Sequence, residues 1–587
     1  MTIVERLEAL RGLMKENNLT MYLVPTDDYH MSEYVGAYFK EREFLSGFTG
    51  SAGVLLVTLK NAYLWTDGRY FLQAANQLEG STITLMKQGE EGVPSVYEFI
   101  KSQSIKKLIG FDGRCVKALF GESLENIKGV HITYDMDLVD KIWTDRPELS
   151  HEPGYELDIK YAGESRYDKI KKIQANLEAK GADLTVISSL DDIMWILNLR
   201  GNDVKCNPVI LSYLVVHKAK VVLYINSSVL SSDVKLNLAK DRVVIREYNT
   251  IYNDIVNFNN YKILIDLNKT NYSLYKSINN TNTIINEINY STLLKACKNK
   301  VEQENFKKAH VKDAVAVCKF MYWLKTNVGK IEMSELSVSE KLLNFRKEQA
   351  NFKDISFGTI AGFGPHGAIV HYGPTKESDA KVTLGNFLLV DSGAHFLEGT
   401  TDITRTFALG KVSDEMKHHF TLVLKCYLAL SDIKFKEGVD GRTLDLAARE
   451  PLWQEGLDFN HGTGHGVGYL LNVHEGPQNI KYNRESYTFK EGMITSDEPG
   501  LYLTGKYGIR HESLTLCTLY KETEFGRFLQ LEPITLVPFD LDGIDKNLLT
   551  LEEKTKLNNY HKKVYDTISL YLNKDEANFL KKYTKEI

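Results

Sequence analysis

Val4, Leu7, Leu10 and Met14 fall at helical spacing. After Asn17-Asn18 the run Leu19-Thr-Met-Tyr-Leu-Val-Pro25 reads as a strand that leads to Asp27-Asp28. The same order returns further on. Ser165 is placed to cap a helix carrying Ile170, Ile173 and Leu177, Gly181 ends it, and Leu184-Thr-Val-Ile-Ser188 runs to Asp191-Asp192. Gly47-Phe-Thr-Gly-Ser51 and Leu199-Arg-Gly-Asn-Asp203 each precede an apolar strand, so the pattern predicts two copies of one α/β unit.

Glu152-Pro-Gly-Tyr155 reads as the first linker. From Asn249 to Asn289 the chain turns Asn-rich yet keeps strands such as Lys262-Ile-Leu-Ile-Asp266, which marks compositional drift rather than disorder. Phe306, Ala309, Ala314, Val317, Met321 and Leu324 then predict one long helix over 301–326 that opens the last domain. A chain of 587 residues exceeds what one hydrophobic core sustains. The expected division is residues 1–155, residues 156–300 and residues 301–587.

With 43% hydrophobic and 25% charged residues the composition is globular, and a net charge of -5 offers no polyanion-binding surface, so nucleic acid is excluded as a partner. No run of about 18 apolar residues suggests a membrane span, and the N-terminus, with Glu5 and Glu8, does not read as a signal peptide. The six cysteines, Cys115, Cys206, Cys297, Cys318, Cys426 and Cys517, are scattered without a C-x-x-C pair. The expected compartment is the cytoplasm.

The chemistry gathers in the C-terminal half. Asn386-Phe-Leu-Leu-Val-Asp391 carries a carboxylate toward the end of an apolar strand, and Thr400-Thr-Asp402-Ile-Thr-Arg-Thr406 presents a second after a turn at Leu397-Glu-Gly399. Taken singly, such an Asp is more often a turn or strand-end cap. His461-Gly-Thr-Gly-His465-Gly-Val-Gly468 adds two imidazoles on glycine-dense backbone. Glu498 and Glu512 follow strand-like sequence in Thr495-Ser-Asp-Glu-Pro-Gly500 and Gly508-Ile-Arg-His-Glu512. One imidazole with four carboxylates is a hard, oxygen-rich donor set that suits Mn²⁺, with Co²⁺ or Zn²⁺ as alternatives. Four negative charges exceed what one divalent ion balances, so two ions are expected.

These segments resemble cytosolic three-domain aminopeptidase P, of the pita-bread metallopeptidases that also include prolidase, methionine aminopeptidase and creatinase. The resemblance runs through Phe44-Leu-Ser-Gly-Phe-Thr-Gly-Ser51, Trp65-Thr-Asp-Gly-Arg-Tyr-Phe71, Lys141-Ile-Trp-Thr-Asp-Arg-Pro147, Asn198-Leu-Arg-Gly201, Ala309-His-Val-Lys-Asp-Ala314 and every segment named for the site. It implies two related N-terminal creatinase-like α/β domains followed by a C-terminal pita-bread catalytic domain. Its implied activity is removal of an N-terminal residue that stands before proline, by attack of a hydroxide shared between two divalent ions, in a homodimer.

By the same resemblance Asp391 is a chelating ligand of one metal, Asp402 and Glu512 are bridges, and His465 and Glu498 are ligands of the other. His371, in Ile369-Val-His-Tyr-Gly373, is implied to contact substrate. His461 and His474 are implied to line the pocket and face the peptide carbonyl, Glu498 to shuttle a proton, and Arg69 to reach the peptide from the first domain. The ordinary alternative for His371, His461, His474 and Arg69 is a hydrogen-bonded structural residue. Two positions depart from the family, which usually has Ile where this chain has His511 and Asn where it has His366; strand alternation points His511 away from the metals. The apolar stretch Leu529 to Pro538 is a candidate for part of a dimer interface and equally for core. Competing readings are a prolidase restricted to dipeptides, a creatinase-like amidinohydrolase and a non-catalytic peptide-binding module. Modules of that last kind typically lose metal ligands, and this chain keeps all five.

Overall fold

The computed structural model describes residues 1–104 and 106–587. Two compact units make up the chain: Met1–Ile159 with Glu164–Thr292, and Lys160–Gly163 with Leu293–Ile587.

The first unit opens with helix Ile3–Glu16, started by a capping box in which Thr2 accepts from the Glu5 amide and Glu5 reaches back to Thr2. Leu7, Leu10 and Met14 of the stripe read in the sequence are buried, while Val4 is exposed. Six strands form a mixed sheet in the spatial order Ile83–Lys87, Ala62–Thr66, Val54–Thr58, Met21–Pro25, Lys107–Gly110, Val130–Thr133. The central three pair antiparallel, while the flanking strands join parallel.

A second sheet in the same unit repeats this plan. Its order is Val243–Arg246, Val221–Ile225, Ser212–His217, Leu184–Ile187, Lys262–Ile265, Thr283–Asn286, with the same alternation of antiparallel centre and parallel flanks. Helix Arg166–Ala179, capped by Ser165, precedes its central strand as Ile3–Glu16 precedes Met21–Pro25. The inferred duplication of one α/β unit is therefore real at the level of topology. The Asn-rich stretch is folded, contributing strands Lys262–Ile265 and Thr283–Asn286 and helix Tyr272–Lys276 between them.

In the second unit helix Lys300–Asn327 starts at the Asn299 capping box and buries Phe306, Ala309, Ala314, Val317, Met321 and Leu324. Arg346, on helix Glu335–Lys347, locks onto this helix through two hydrogen bonds to Asp313 at 2.7 and 3.1 Å. Both residues are buried, so the pair fixes helix spacing at the cost of desolvating two charges. Beside these helices stand a three-stranded antiparallel sheet of Ile360–Phe363, Asn386–Ser392 and Ile403–Leu409, and a six-stranded antiparallel sheet that carries Gly464–Gly466, Glu475–Ile480, Ile494–Asp497 and Ser513–Thr523. Leu529, Leu531, Ile534, Leu536 and Val537 are buried, which makes the 529–538 stretch core rather than free surface. Among the described residues no helix is long and apolar enough to cross a membrane.

Candidate active site

Strand pairing brings the acids together. Asp391 sits one residue from the end of Asn386–Ser392, opposite Ile360 on one side and Thr404 on the other, and Asp402 immediately precedes Ile403–Leu409. The turn between them is tight: a Cβ on Gly393 would lie 2.0 Å from the Thr401 carbonyl oxygen, so only glycine lets the hairpin close with both carboxylates at one end. His465 is presented in the same way. A Cβ on Gly464 or Gly466 would lie 2.0 Å from the Ser496 oxygen or 2.2 Å from that of Glu475, because strands press on both sides of the His465 backbone.

Around that backbone His465 Nε2 lies 3.3 Å from Glu498 Oε1 and 3.6 Å from Asp402 Oδ2. Asp402, His465 and Glu512 each offer a ligand atom, and these atoms lie within 4.8 Å of one another. Glu512 accepts from the Thr404 hydroxyl at 2.7 Å, which sets its side chain against the Asp402 strand. Glu498 accepts from Ser496 Oγ at 3.1 Å.

Burial and mutual repulsion dominate the electrostatics. Desolvation pushes the Asp402 carboxyl well above the usual range, and Glu512, Asp391 and Glu498 push it further. Desolvation likewise raises Glu512 strongly, with Asp391 and Glu498 adding to it, and raises Glu498 to about 7. Carboxylates so crowded require either protons or cations between them. One oxygen of Asp391, Oδ1, is buried without a hydrogen-bond partner, as a ligand atom awaiting a cation would be. The donor set of carboxylate oxygens and one imidazole fits hard divalent ions.

A second layer was not read from the sequence. Arg510 is fully buried and donates to Asp391 Oδ2 at 2.5 Å, to Thr404 Oγ1 at 3.1 Å and to the Tyr502 hydroxyl at 2.6 Å. Tyr502 in turn meets His461 Nε2 at 2.8 Å, and His461 Nδ1 lies 2.7 Å from the Gly462 oxygen. Desolvation, then the Arg510 charge, lowers His461 to about 3, so it is a neutral imidazole. The missed signal was available: Arg510 lies two residues before Glu512, and residues two apart on extended chain share a face.

The remaining candidates are placed as follows. His474 packs its ring edge-on against His465 with centroids 4.4 Å apart, and its amide donates to Asn472 Oδ1. Its neighbour Glu475 is gripped by Lys295 at 2.9 Å and Lys298 at 2.5 Å. His371 is half-buried on the long loop that leaves strand Ile360–Phe363. His511 is buried against Phe420, ring centroids 4.3 Å apart, with Nε2 3.3 Å from the Phe420 oxygen, and so turns off the acidic cluster as alternation predicts. Arg69 belongs to the first unit, where Asp67 holds it bidentately at 2.8 Å.

Three buried carboxylates, Asp391, Asp402 and Glu512, with the half-buried Glu498 and His465 on a glycine-backed antiparallel scaffold, define a metal-dependent hydrolase. Residues 304–519 match Metallopeptidase family M24, residues 527–587 match the C-terminal region of that peptidase, and residues 6–140 and 145–302 each match the Creatinase/Prolidase N-terminal domain. The chain belongs to metallopeptidase family M24, with two creatinase-like α/β domains before a pita-bread catalytic domain. It is 38% identical to Xaa-Pro aminopeptidase 1 of Dictyostelium discoideum, over all of this chain and 97% of the relative. It is 35% identical to Aminopeptidase P1 of Lotus japonicus, over 99% of each. The crystal structure of X-prolyl aminopeptidase from Caenorhabditis elegans, described as a cytosolic enzyme with a di-nuclear active site, superposes with a TM-score of 0.96 at 34% identity over 100% of both chains.

Proposed function

We propose that this chain is a cytosolic, metal-dependent aminopeptidase that releases the N-terminal residue from peptides with proline at the second position. The observation that carries the reading is the meeting of Asp402, His465 and Glu512, with Glu498 and Asp391 beside them, in one largely buried cluster, in a chain similar along its whole length to Xaa-Pro aminopeptidases. Asp391 would chelate one divalent ion, Asp402 and Glu512 would bridge, and His465 with Glu498 would hold the other, with Mn²⁺ the first choice for a set rich in oxygen. Two ions held there would supply a nucleophile at neutral pH, by lowering the pKa of water, and a Lewis acid for the carbonyl.

The protein's own side chains then do the positioning. Arg510 holds Asp391 by its Oδ2, while Oδ1 is buried without a hydrogen-bond partner. His474, whose ring packs against that of His465, is read as a donor to the oxyanion that would develop at the scissile carbonyl, where a fixed donor contributes most. Glu498 is suited to carry a proton to the leaving nitrogen. That nitrogen is proline's, whose amide lacks N–H, so a pocket that asks for no hydrogen bond from it accepts a bond other peptidases refuse. His371, His461 and Arg69 are read as substrate contacts.

The chain is read as three domains, 1–155, 156–300 and 301–587, and as a homodimer, with the interface outside the buried 529–538 stretch. The reading is tested by comparing an X-Pro-X tripeptide, an X-Ala-X tripeptide and an X-Pro dipeptide at matched concentration. Release of the first residue from the X-Pro-X peptide with little from X-Ala-X is expected. Turnover confined to the dipeptide would make the chain a prolidase, and turnover of none would make it a binding module.

A further inference from the structure

Glu335 stands in the first turn of helix Glu335–Lys347, its side chain wholly buried. It is not spent on a helix contact. Oε1 accepts from the Phe363 amide at 2.8 Å and lies 2.9 Å from His366 Nδ1, while Oε2 accepts from the Tyr372 hydroxyl at 2.8 Å and the Ala380 amide at 3.0 Å. These four partners span the excursion between strands Ile360–Phe363 and Asn386–Ser392. An excursion of that length with little regular structure is usually functional and needs something to hold its shape.

One carboxylate thus gathers the start, middle and end of the loop. The His366 ring also packs on the Tyr372 ring with centroids 4.5 Å apart, and the Tyr372 hydroxyl meets Ser378 Oγ at 2.9 Å. Tyr372 directly follows His371. The far side of the same segment touches the catalytic cluster, since the Val370 oxygen lies 3.4 Å from Arg510 Nη2, the nitrogen that holds Asp391. Hydrogen bonds gathered on one buried acceptor fix the direction of their donors, and losing the acceptor leaves buried donors unpaired.

We propose that Glu335, with His366 and Tyr372, forms a clamp that fixes His371 in the position from which it meets substrate. The three are positioning residues, and the inference rests on reading His371 as a substrate contact. A purely structural Glu335 would affect stability and act independently of His371. A clamp acts through His371, and its removal matters little once that imidazole is gone.

The test is a double-mutant cycle on the full-length, metal-loaded protein, with kcat/KM on an X-Pro-X tripeptide, metal content and thermal melting read together. Glu335→Gln is expected to keep both metals and lose about tenfold in kcat/KM, but to cost less than about twofold in the His371→Ala background. His366→Asn places an amide donor where Nδ1 stood and should stay within about twofold of the parent, whereas His366→Ala should not. If Glu335→Gln does not fold, Tyr372→Phe, which removes one hydroxyl, carries the same cycle. Additive losses, or unchanged kcat/KM in Glu335→Gln, overturn the clamp. Full activity in His371→Ala overturns instead the reading of His371, so the two failures are told apart.

Discussion

Arg510 and Asp391 are joined at 2.5 Å inside the acidic cluster, and the same guanidinium reaches the Tyr502 hydroxyl at 2.6 Å. Its planar fork holds a carboxylate and a phenol at once, so one side chain orients a candidate ligand and, through Tyr502, His461. Lysine cannot span both. Arg510→Lys is expected to keep the fold and lose on the order of 10–100-fold in kcat/KM, as hydrogen bonds to a buried charge are lost. Steady-state kinetics with circular dichroism checks this, and parental kinetics would reduce Arg510 to a structural role.

Removing Asp402 or Glu512 is expected to act on the ions themselves. Each is read as a bridge, so Asp402→Ala and Glu512→Ala should abolish turnover and lower bound metal together. Elemental analysis beside the peptide assay decides the matter. Near-parental turnover with two ions retained in either variant would rule out bridging.

His474 is read as acting on substrate rather than on the ions. With Asp391, Asp402, His465, Glu498 and Glu512 left to hold the ions, His474→Ala should retain them and lose about 10²–10³ in kcat, the usual loss for one oxyanion donor. KM should move little, because the interaction strengthens in the transition state. Loss of metal in this variant would make His474 a ligand.

Much of this cluster was legible because each candidate ligand stands beside a strand end or interrupts a glycine run. Asp391, Asp402, His465, Glu498 and Glu512 stand at edges that a pattern of apolar residues and turns marks out. The duplicated sheets were legible too, since two helix–strand–acid sequences recur in the same order. Arg510 was given no role although its spacing from Glu512 puts the two on one face, and Tyr502 was not read because a Tyr on a strand gives no sign of which group it faces. Glu335 was hidden more deeply, as its partners lie 28 to 45 residues away and come together only when the loop folds back.

Stability should fall in mild acid through buried imidazoles remote from the acids. His561 is buried, and its Nε2 accepts the Phe539 amide at 3.1 Å. Desolvation, with help from the Arg405 charge, lowers it from the usual 6.5 to about 3. Between those values the unfolded chain binds the proton and the folded one does not, so the stabilisation is full above 6.5 and lost as pH falls toward 3. His561→Gln keeps an acceptor without that titration. Its urea midpoint should drop less between pH 7 and about pH 5 than the parent's, and an equal drop would exclude His561 as a contributor.

The central claim is that two ions and a proline-bearing peptide meet in this cluster. The most direct test strips the purified protein with a chelator, then titrates Mn²⁺ back while following both bound metal and cleavage of an X-Pro-X tripeptide. Activity that is absent in the stripped protein and returns to its maximum at about two ions per chain is the expected result. Full activity without metal, or saturation of both binding and activity at a single ion per chain, would contradict it.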